Sequence, residues 1–373
     1  MQHLPRCTAL GVLLLIPLAP PAVWADEAQG DPEEVLQLAE LATTMQRILL
    51  NGPADERGRR VSRHYLWSNE RRHDLFFDDI RGLGRGYLGV GADQNYTLAA
   101  VACADVVYLI DLDAAVVNLH RLYGAVLAAA PTPEQFLALL SGRRDSELHA
   151  AVAARLPEPK ERAAALQIYK EYGPLLYSRL RRTQRQQHNG VPVSWLGDET
   201  LYAHVRRLAL AGRLVARVGD LAGSRTMLEV GEAARAAGVP IRVLYLSNAE
   251  SWFSYSSRLL RNLQALPLDQ KSVVLRTIKS RVLPYPPGDV WHFSVQGASD
   301  FVEKLALRRY RIVDVMMADL IAPGGLQPGR PRGLSRIAPG VPNPPRPVIE
   351  GLVTRPAASP LPSAENLAYL PPR

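Results

Sequence analysis

The stretch Tyr87-Leu-Gly-Val-Gly-Ala-Asp-Gln-Asn95, followed by Val106-Val-Tyr-Leu-Ile-Asp111, decides the fold. Tyr87 to Gly91 is a short apolar run ending in glycines, which suits a buried strand and a tight turn. Gln94 to Cys103 is helical in spacing. Val106 to Ile110 is a second, β-branched strand closed by Asp111-Leu-Asp113, and Ala114 to Ala130 is a second helix. Strand, turn, helix and strand in this order form one crossover unit of a parallel sheet.

The alternation stops at Pro131 and resumes at Glu199. The interval of about residues 131–198 reads as a helical insertion, with helices near Pro133–Leu140, Ser146–Arg155 and Pro159–Arg182. Beyond it come a helix at Glu199–Ala211, a strand at Leu214–Val218, a helix at Arg225–Ala237, a strand at Ile241–Leu246 and a helix around Ser256–Ala265. Ser272–Ile278, Val290–Ser294 and Tyr310–Met316 supply the last expected strands. The fold class is therefore α/β, a doubly wound, mostly parallel sheet over residues 87–321 with a helical insertion.

Both flanks read differently. Arg6 precedes an apolar run from Ala9 to Ala19, and small residues follow at Ala22 and Ala25, the three parts of a secretory signal over residues 1–25. That run is shorter than the about 20 residues a bilayer span needs, so no membrane span is expected after cleavage and the mature chain is expected in the periplasm or secreted. Residues 26–86 hold an amphipathic helix at Pro32–Leu50 and a charged segment at Asp55–Asp79. Residues 322–373 contain 13 of the 30 prolines, with six Arg against two Glu, and are expected to be a disordered tail.

Composition limits the function classes. The chain has 373 residues, 47% hydrophobic and 21% charged, with 44 Lys and Arg against 36 Asp and Glu. Half of the resulting excess of +8 lies in the tail, so the folded part is nearly neutral and no nucleic-acid partner is expected. Cys103 alone remains beyond the leader, so no internal disulfide forms. His64, His73, Asp74, Asp78 and Asp79 match no metal-ligand spacing and read as a solvated charged face, so no metal is expected. There is no Gly-x-Ser-x-Gly elbow and no phosphate loop.

In an open parallel sheet ligands bind beyond the carboxyl ends of the strands. Four turns qualify. Gly89 and Gly91 let a ligand approach the backbone, or simply make the turn tight. Asp111 ends the second strand and suits ribose hydroxyls, whereas Asp113 reads as a helix cap. Gly219-Asp220 offers a further acceptor or a plain turn aspartate. Ser247-Asn248-Ala-Glu250 offers polar groups backed by Trp252, Phe253 and Tyr255, or a helix start packed on aromatics.

Glycine turn, acid, acid and polar turn in this order resemble class I S-adenosylmethionine-dependent methyltransferases. More closely, Tyr87–Thr97 with Asp111, Gly219-Asp220-Leu-Ala-Gly223 and Tyr245-Leu-Ser-Asn248 is similar to an uncharacterised bacterial family carrying such a domain. The resemblance implies S-adenosylmethionine as cofactor, with Gly89 and Gly91 at its methionine part, Asp111 at the ribose, Asp220 at the adenine amine and Asn248 on the acceptor side. Glu250 is the nearest base. Asp93 stands at the third glycine position, and its carboxylate has to point away from the ligand's own. The contrasting expectation is an inactive binding or scaffolding protein of the cell envelope, because export separates the chain from a cofactor made in the cytoplasm.

Overall fold

Strands buried on both faces need apolar residues at every position, and the chain supplies them in two central runs. Gly86–Val90 (β1) is buried throughout and Val106–Asp111 (β2) is buried up to its last residue. The computed structural model describes Asp55, residues 64–280, 283–308, 310–321, 326–328 and 332–337. Its further sheet strands are Leu214–Val218 (β3), Ile241–Ser247 (β4), Val273–Ile278 (β5), His292–Gly297 (β6), Leu326–Pro328 (β7) and Leu334–Ile337 (β8). They form one eight-stranded sheet in the order β3-β2-β1-β4-β5-β6-β8-β7. From β3 to β5 every neighbour is parallel; β6 runs antiparallel to β5, and the β7–β8 pair is antiparallel, with β8 parallel to β6.

The chain steps from β1 out to β2 and β3, then returns to place β4 on the other flank of β1. Strand order therefore reverses at β1, and the carboxyl ends of β1, β2 and β4 bracket the crevice where open α/β sheets bind ligands.

Alternate residues feed two cores. Tyr87, Val107, Leu109, Val243, Tyr245 and Leu275 face one, with the helices Gln94–Val101 (α1) and Ala114–Ala129 (α2), the insertion and Glu199–Leu210. Leu88, Val106, Tyr108, Ile110, Leu244 and Val274 face the other, under Met227, Val230, Leu259, Phe301 and Met316. The insertion comprises Pro133–Leu139 (α3), Asp145–Arg155 (α4) and Pro159–Gln184 (α5). Glu199–Leu210 is α6 and Thr226–Ala236 is α7. Thr132 opens α3 with a reciprocal capping box to Gln135, and Asp198 caps α6, so the helix starts are set locally.

Three boundaries differ from the sequence reading. Tyr310–Met316, expected as a strand, belongs to a segment that turns helical at Val313–Ile321, because Val313, Met316 and Met317 are buried at helical and not alternate spacing. The folded part does not stop at residue 321: β7 and β8 extend the sheet to Ile337, where Leu334 and Ile337 are buried and Arg336 holds Asp79 at 2.6 and 2.9 Å. The charged segment is a solvated face only in part: His64 and Asp78 are exposed, but several of the residues between them pack inward. Leu66, Glu70, His73, Leu75, Phe76 and Ile80 are buried against the sheet, through a helical turn at His73–Ile80. The leader, the Pro32–Leu50 helix and residues 338–373 lie outside the described residues. Among those described, no helix is long and apolar enough to cross a membrane.

Candidate functional site at the carboxyl rim of the sheet

The glycine turn is braced from inside. Gly91 has φ +87°, a left-handed conformation that favours glycine, and an added Cβ would lie 2.7 Å from the Gln94 amide. The space beside Gly89 is filled by Asn95, whose amide donates to the carbonyls of Val90 (2.9 Å) and Ala92 (2.8 Å) and accepts from the Tyr87 hydroxyl. A buried imidazole, His120, fixes the turn from behind. Its Nε2–H donates to the Gly91 carbonyl at 2.9 Å, which leaves Nδ1 to accept from the Tyr96 hydroxyl at 2.8 Å. Burial lowers this histidine to about 4, so it is neutral at working pH.

Gly91 and Asp111 come together. The Asp111 carboxylate accepts from the backbone N–H of Asp113 at 2.8 Å and also faces the Gly91 N–H. Burial pushes it up to about 6, with the neighbouring Asp113 charge adding to the rise and the two N–H groups opposing it. Its backbone carbonyl accepts from Gly219, so the ends of β2 and β3 are also joined. Leu112, between the two acids, is 54% exposed. Asp113 caps α2 through Ala115 N–H, as its sequence position suggested. Asp93 points away from the turn into the insertion, buried against Trp195 Nε1 at 3.3 Å.

The next turn is filled by the chain itself. Asp220 folds back on Ala222 N–H at 2.8 Å. The N–H groups of Asp220 (3.1 Å), Arg225 (2.7 Å) and Thr226 (3.4 Å) all point at the Asp55 carboxylate, which occupies the N-terminus of α7. Burial raises that carboxylate's pKa, yet the three N–H groups and the Thr226 hydroxyl hold it below its ordinary value. Gly223 leaves room for it, since a Cβ there would come within 2.4 Å of Asp55.

At the end of β4 a second internal carboxylate dominates. Glu70 is buried and accepts from Ser247 Oγ (2.6 Å), Thr277 Oγ1, the Tyr245 hydroxyl and His73 Nε2 (2.9 Å). Burial raises it, but His73 and the hydroxyls of Ser247 and Thr277 bring it below the usual glutamate range. Ser247 has φ 50° in a bulge of β4 against β5, a costly conformation for a serine that its bond to Glu70 helps to hold.

Asn248 follows, half-buried, and opens a short helical turn without capping it. Glu250, expected as the base, is instead sealed in the second core. Its oxygens meet Arg276 Nε at 2.6 Å and the Tyr255 hydroxyl at 2.6 Å, and Arg276 also donates to Gln296. Trp252, two residues on, is 57% exposed.

Gly91, Asp111, Asp220 and Asn248 thus stand on adjacent strand ends along one rim. Sequence reasoning missed Asp55, Glu70 and His120. All three act through contacts at long sequence separation, and the pairing of Glu70 with His73 three residues on was the one local signal. No group of three or more His, Cys, Asp or Glu is placed to hold a metal among the described residues.

A family model described as "Domain of unknown function (DUF7790)" matches residues 65–338, nearly the whole described region. The chain belongs to this family. The match begins beside His64 and ends just beyond β8, so the buried Glu70 segment and the late strands are parts of the DUF7790 domain. No curated protein matches the sequence. Two solved structures of an rRNA methyltransferase, aviRa from Streptomyces viridochromogenes, are similar at 19% and 18% identity. Each match covers 67% of this chain and 77% of theirs, with a TM-score of 0.24.

Proposed function

We propose that the β1–β2 half of the rim binds the nucleoside part of S-adenosylmethionine and that the DUF7790 domain is a methyltransferase-type domain using it. One observation carries this reading. At the point where strand order reverses, the Gly91 backbone and the Asp111 carboxylate meet beside the exposed, apolar Leu112. A carboxylate raised to about 6 is ionised at neutral pH and can accept from two ribose hydroxyls, while an apolar side chain suits the face of a base. Gly89, with Asn95 against it, shapes the turn; Gly91 makes the approach to the ligand. Asp220 lies one strand further along and completes the nucleoside contacts only if its bond to Ala222 opens. Asn248 flanks the acceptor side, and Glu250 acts there by positioning the turn through Arg276. Transfer from a sulfonium is an in-line displacement, so orientation and exclusion of water are the main demands on the protein.

Isothermal titration of the full chain with S-adenosylmethionine and S-adenosylhomocysteine tests this. Saturable heat that weakens in Asp111→Asn supports it, and silence at millimolar ligand removes it.

A second reading is favoured by Asp55 and Glu70, which fill the β3 and β4 turns with the chain's own carboxylates. On this reading the domain is an exported, catalytically inactive binding or scaffolding protein, and Asp111→Ala keeps its biological role while removal of residues 131–198 abolishes it. The mass of the mature N-terminus decides the compartment, with cleavage after Ala25 expected for export.

A further inference from the structure

Four arginines crowd the end of α5: Arg179, Arg181, Arg182 and Arg185. Cations suit the negative end of a helix dipole, which accounts for Arg181 and Arg185. Arg179 and Arg182 are held in a different setting. They stand one turn apart on one face of α5, and a third guanidinium is brought alongside them. The segment Ser68–Arg71 is tied to this end of the helix at two points: the Ser68 carbonyl accepts from Arg179 Nη2 at 2.8 Å, and the Arg71 carbonyl accepts from the Gln186 amide. Arg71 and Arg182 are exposed, and Arg179 is half-buried with its guanidinium 5.8 Å from the centre of the Trp67 ring. Among the described residues none of the three is in an ion pair, and Arg179 Nε has no hydrogen-bond partner. The nearby acids are committed elsewhere. Arg72 holds Asp74 at 2.8 and 2.9 Å, Asp289 is turned onto the main-chain N–H groups of Arg71 and Arg72, and Asp93 is sealed against Trp195. Burial lowers the Arg179 pKa; Asp93 opposes this, and the charges of Arg182 and Arg71 add to it. Like charges gathered without a counter-ion are a standing cost, which an arriving anion removes.

The patch belongs to the Asn248 side of the rim. Ser68, which holds Arg179, also donates from Oγ to Glu70 at 3.3 Å, and Glu70 accepts at 2.6 Å from Ser247, the residue before Asn248. From the other direction, Asp93, two residues beyond Gly91, is the acid that attracts Arg179. The arginines are therefore linked to the turns after β4 and β1, and Leu112 and Asp113 lie beyond β1 on the β2 turn. We propose that Arg71, Arg179 and Arg182 bind a phosphate monoester group carried by the acceptor substrate and hold that substrate on the Asn248 side of the rim. As an acceptor subsite it rests on the S-adenosylmethionine reading above. A phosphate monoester brings a charge of about −1.5 to −2 and three acceptor oxygens, so it answers three guanidinium groups better than a carboxylate with one charge and two oxygens. A soluble ester and a lipid headgroup share this chemistry. The patch, set beside the acceptor side of the rim, is assigned to the soluble ester.

The test titrates phenyl phosphate into the labelled full chain saturated with S-adenosylhomocysteine, at constant ionic strength, with phenol as the phosphate-free control. Saturable binding is expected, with the backbone amides of Ser68, Arg71 and Arg182 moving together. The double variant Arg71→Gln with Arg182→Gln changes two exposed side chains, so its fold is retained. It is expected to bind phenyl phosphate about 10-fold or more weakly and S-adenosylhomocysteine as the wild type does. Arg179→Lys, which keeps the charge, is expected to lose less than Arg179→Gln. Silence at millimolar phenyl phosphate, equal shifts with phenol or with chloride, or a double variant that binds as the wild type does overturns the inference and leaves cofactor binding standing. Capture by vesicles of phosphatidic acid in phosphatidylcholine without a response to phenyl phosphate overturns it in favour of a lipid surface. If the wild type gives no response to S-adenosylhomocysteine, the cofactor reading has failed and the acceptor role falls with it, whatever phenyl phosphate does.

Discussion

The two halves of the rim are built from the same kind of turn and end in opposite states. After β1 and β2, Gly91 and Asp111 meet with Leu112 open to solvent, and the nearby acid Asp93 is turned away into the insertion. After β3 and β4, the backbone donors and hydroxyls of the turns are taken by Asp55 and Glu70 from the N-terminal segment, and Glu250 is closed in an ion pair. The difference teaches that a parallel sheet supplies ligand-binding turns at every strand end, and that the chain's own carboxylates decide which of them stay open. In this domain the open half is the β1–β2 half.

Replacing Glu70 is expected to break the closed half most severely. Glu70→Ala leaves two buried hydroxyls, a tyrosine and His73 without their acceptor, at a cost of about 3 to 5 kcal/mol by denaturant unfolding. Glu70→Gln recovers part of that. Arg276→Met, which leaves the Glu250 charge buried alone, costs about as much. The double variant with Glu250→Gln is expected to be more stable than Arg276→Met itself, because the unpaired charge is then gone. If both single variants unfold at wild-type denaturant concentrations, the closed half is not held by its carboxylates.

Smaller effects separate the halves more sharply. Asp55→Ala removes a cap from α7 and is expected to cost about 1 to 2 kcal/mol while leaving affinity for S-adenosylhomocysteine unchanged. A large affinity change would instead make the β3 turn part of the ligand site.

Acidification probes the open half through two groups of opposite sign. His120 is lowered to about 4, so the unfolded chain binds its proton first. Its contribution is full above pH 6.5 and is lost as pH falls toward 4, at up to about 1.4 kcal/mol per pH unit. Asp111 is raised to about 6, so the folded chain binds its proton first, and its contribution is largest below pH 3.8 and declines as pH rises through 6. The two partly cancel in the wild type. Asp111→Asn removes the opposing group, and its stability is expected to fall more steeply between pH 6 and 4 than that of the wild type; equal slopes would contradict the Asp111 shift. At neutral pH the same substitution removes a charge that burial disfavours, so stability is expected to rise, while affinity for S-adenosylhomocysteine falls about 10- to 100-fold through loss of a charged acceptor.

The sheet was legible in the sequence because its central strands are buried on both faces and its helices start at local caps. Val106–Ile110 and Leu214–Val218 read as strands without any tertiary information, and the three insertion helices fall where their spacing places them. The last strands were not. Leu326–Pro328 and Leu334–Ile337 are short, lie among prolines and glycines, and are held by β6 and by Asp79, far away in sequence. The rim was legible in outline, since Gly91, Asp111, Asp220 and Asn248 each follow a strand. Which turns are filled was not, because Asp55 and Glu70 sit in a segment whose charges look solvated until the sheet is there to receive them.

The most direct test of the central claim is a map of backbone amide shifts in the labelled full chain titrated with S-adenosylhomocysteine. Gly91, Leu112 and Asp113 are expected to move together while Ala222, Arg225 and Thr226 stay where they are. Shifts confined to Ala222–Thr226, or none at millimolar ligand, would contradict it.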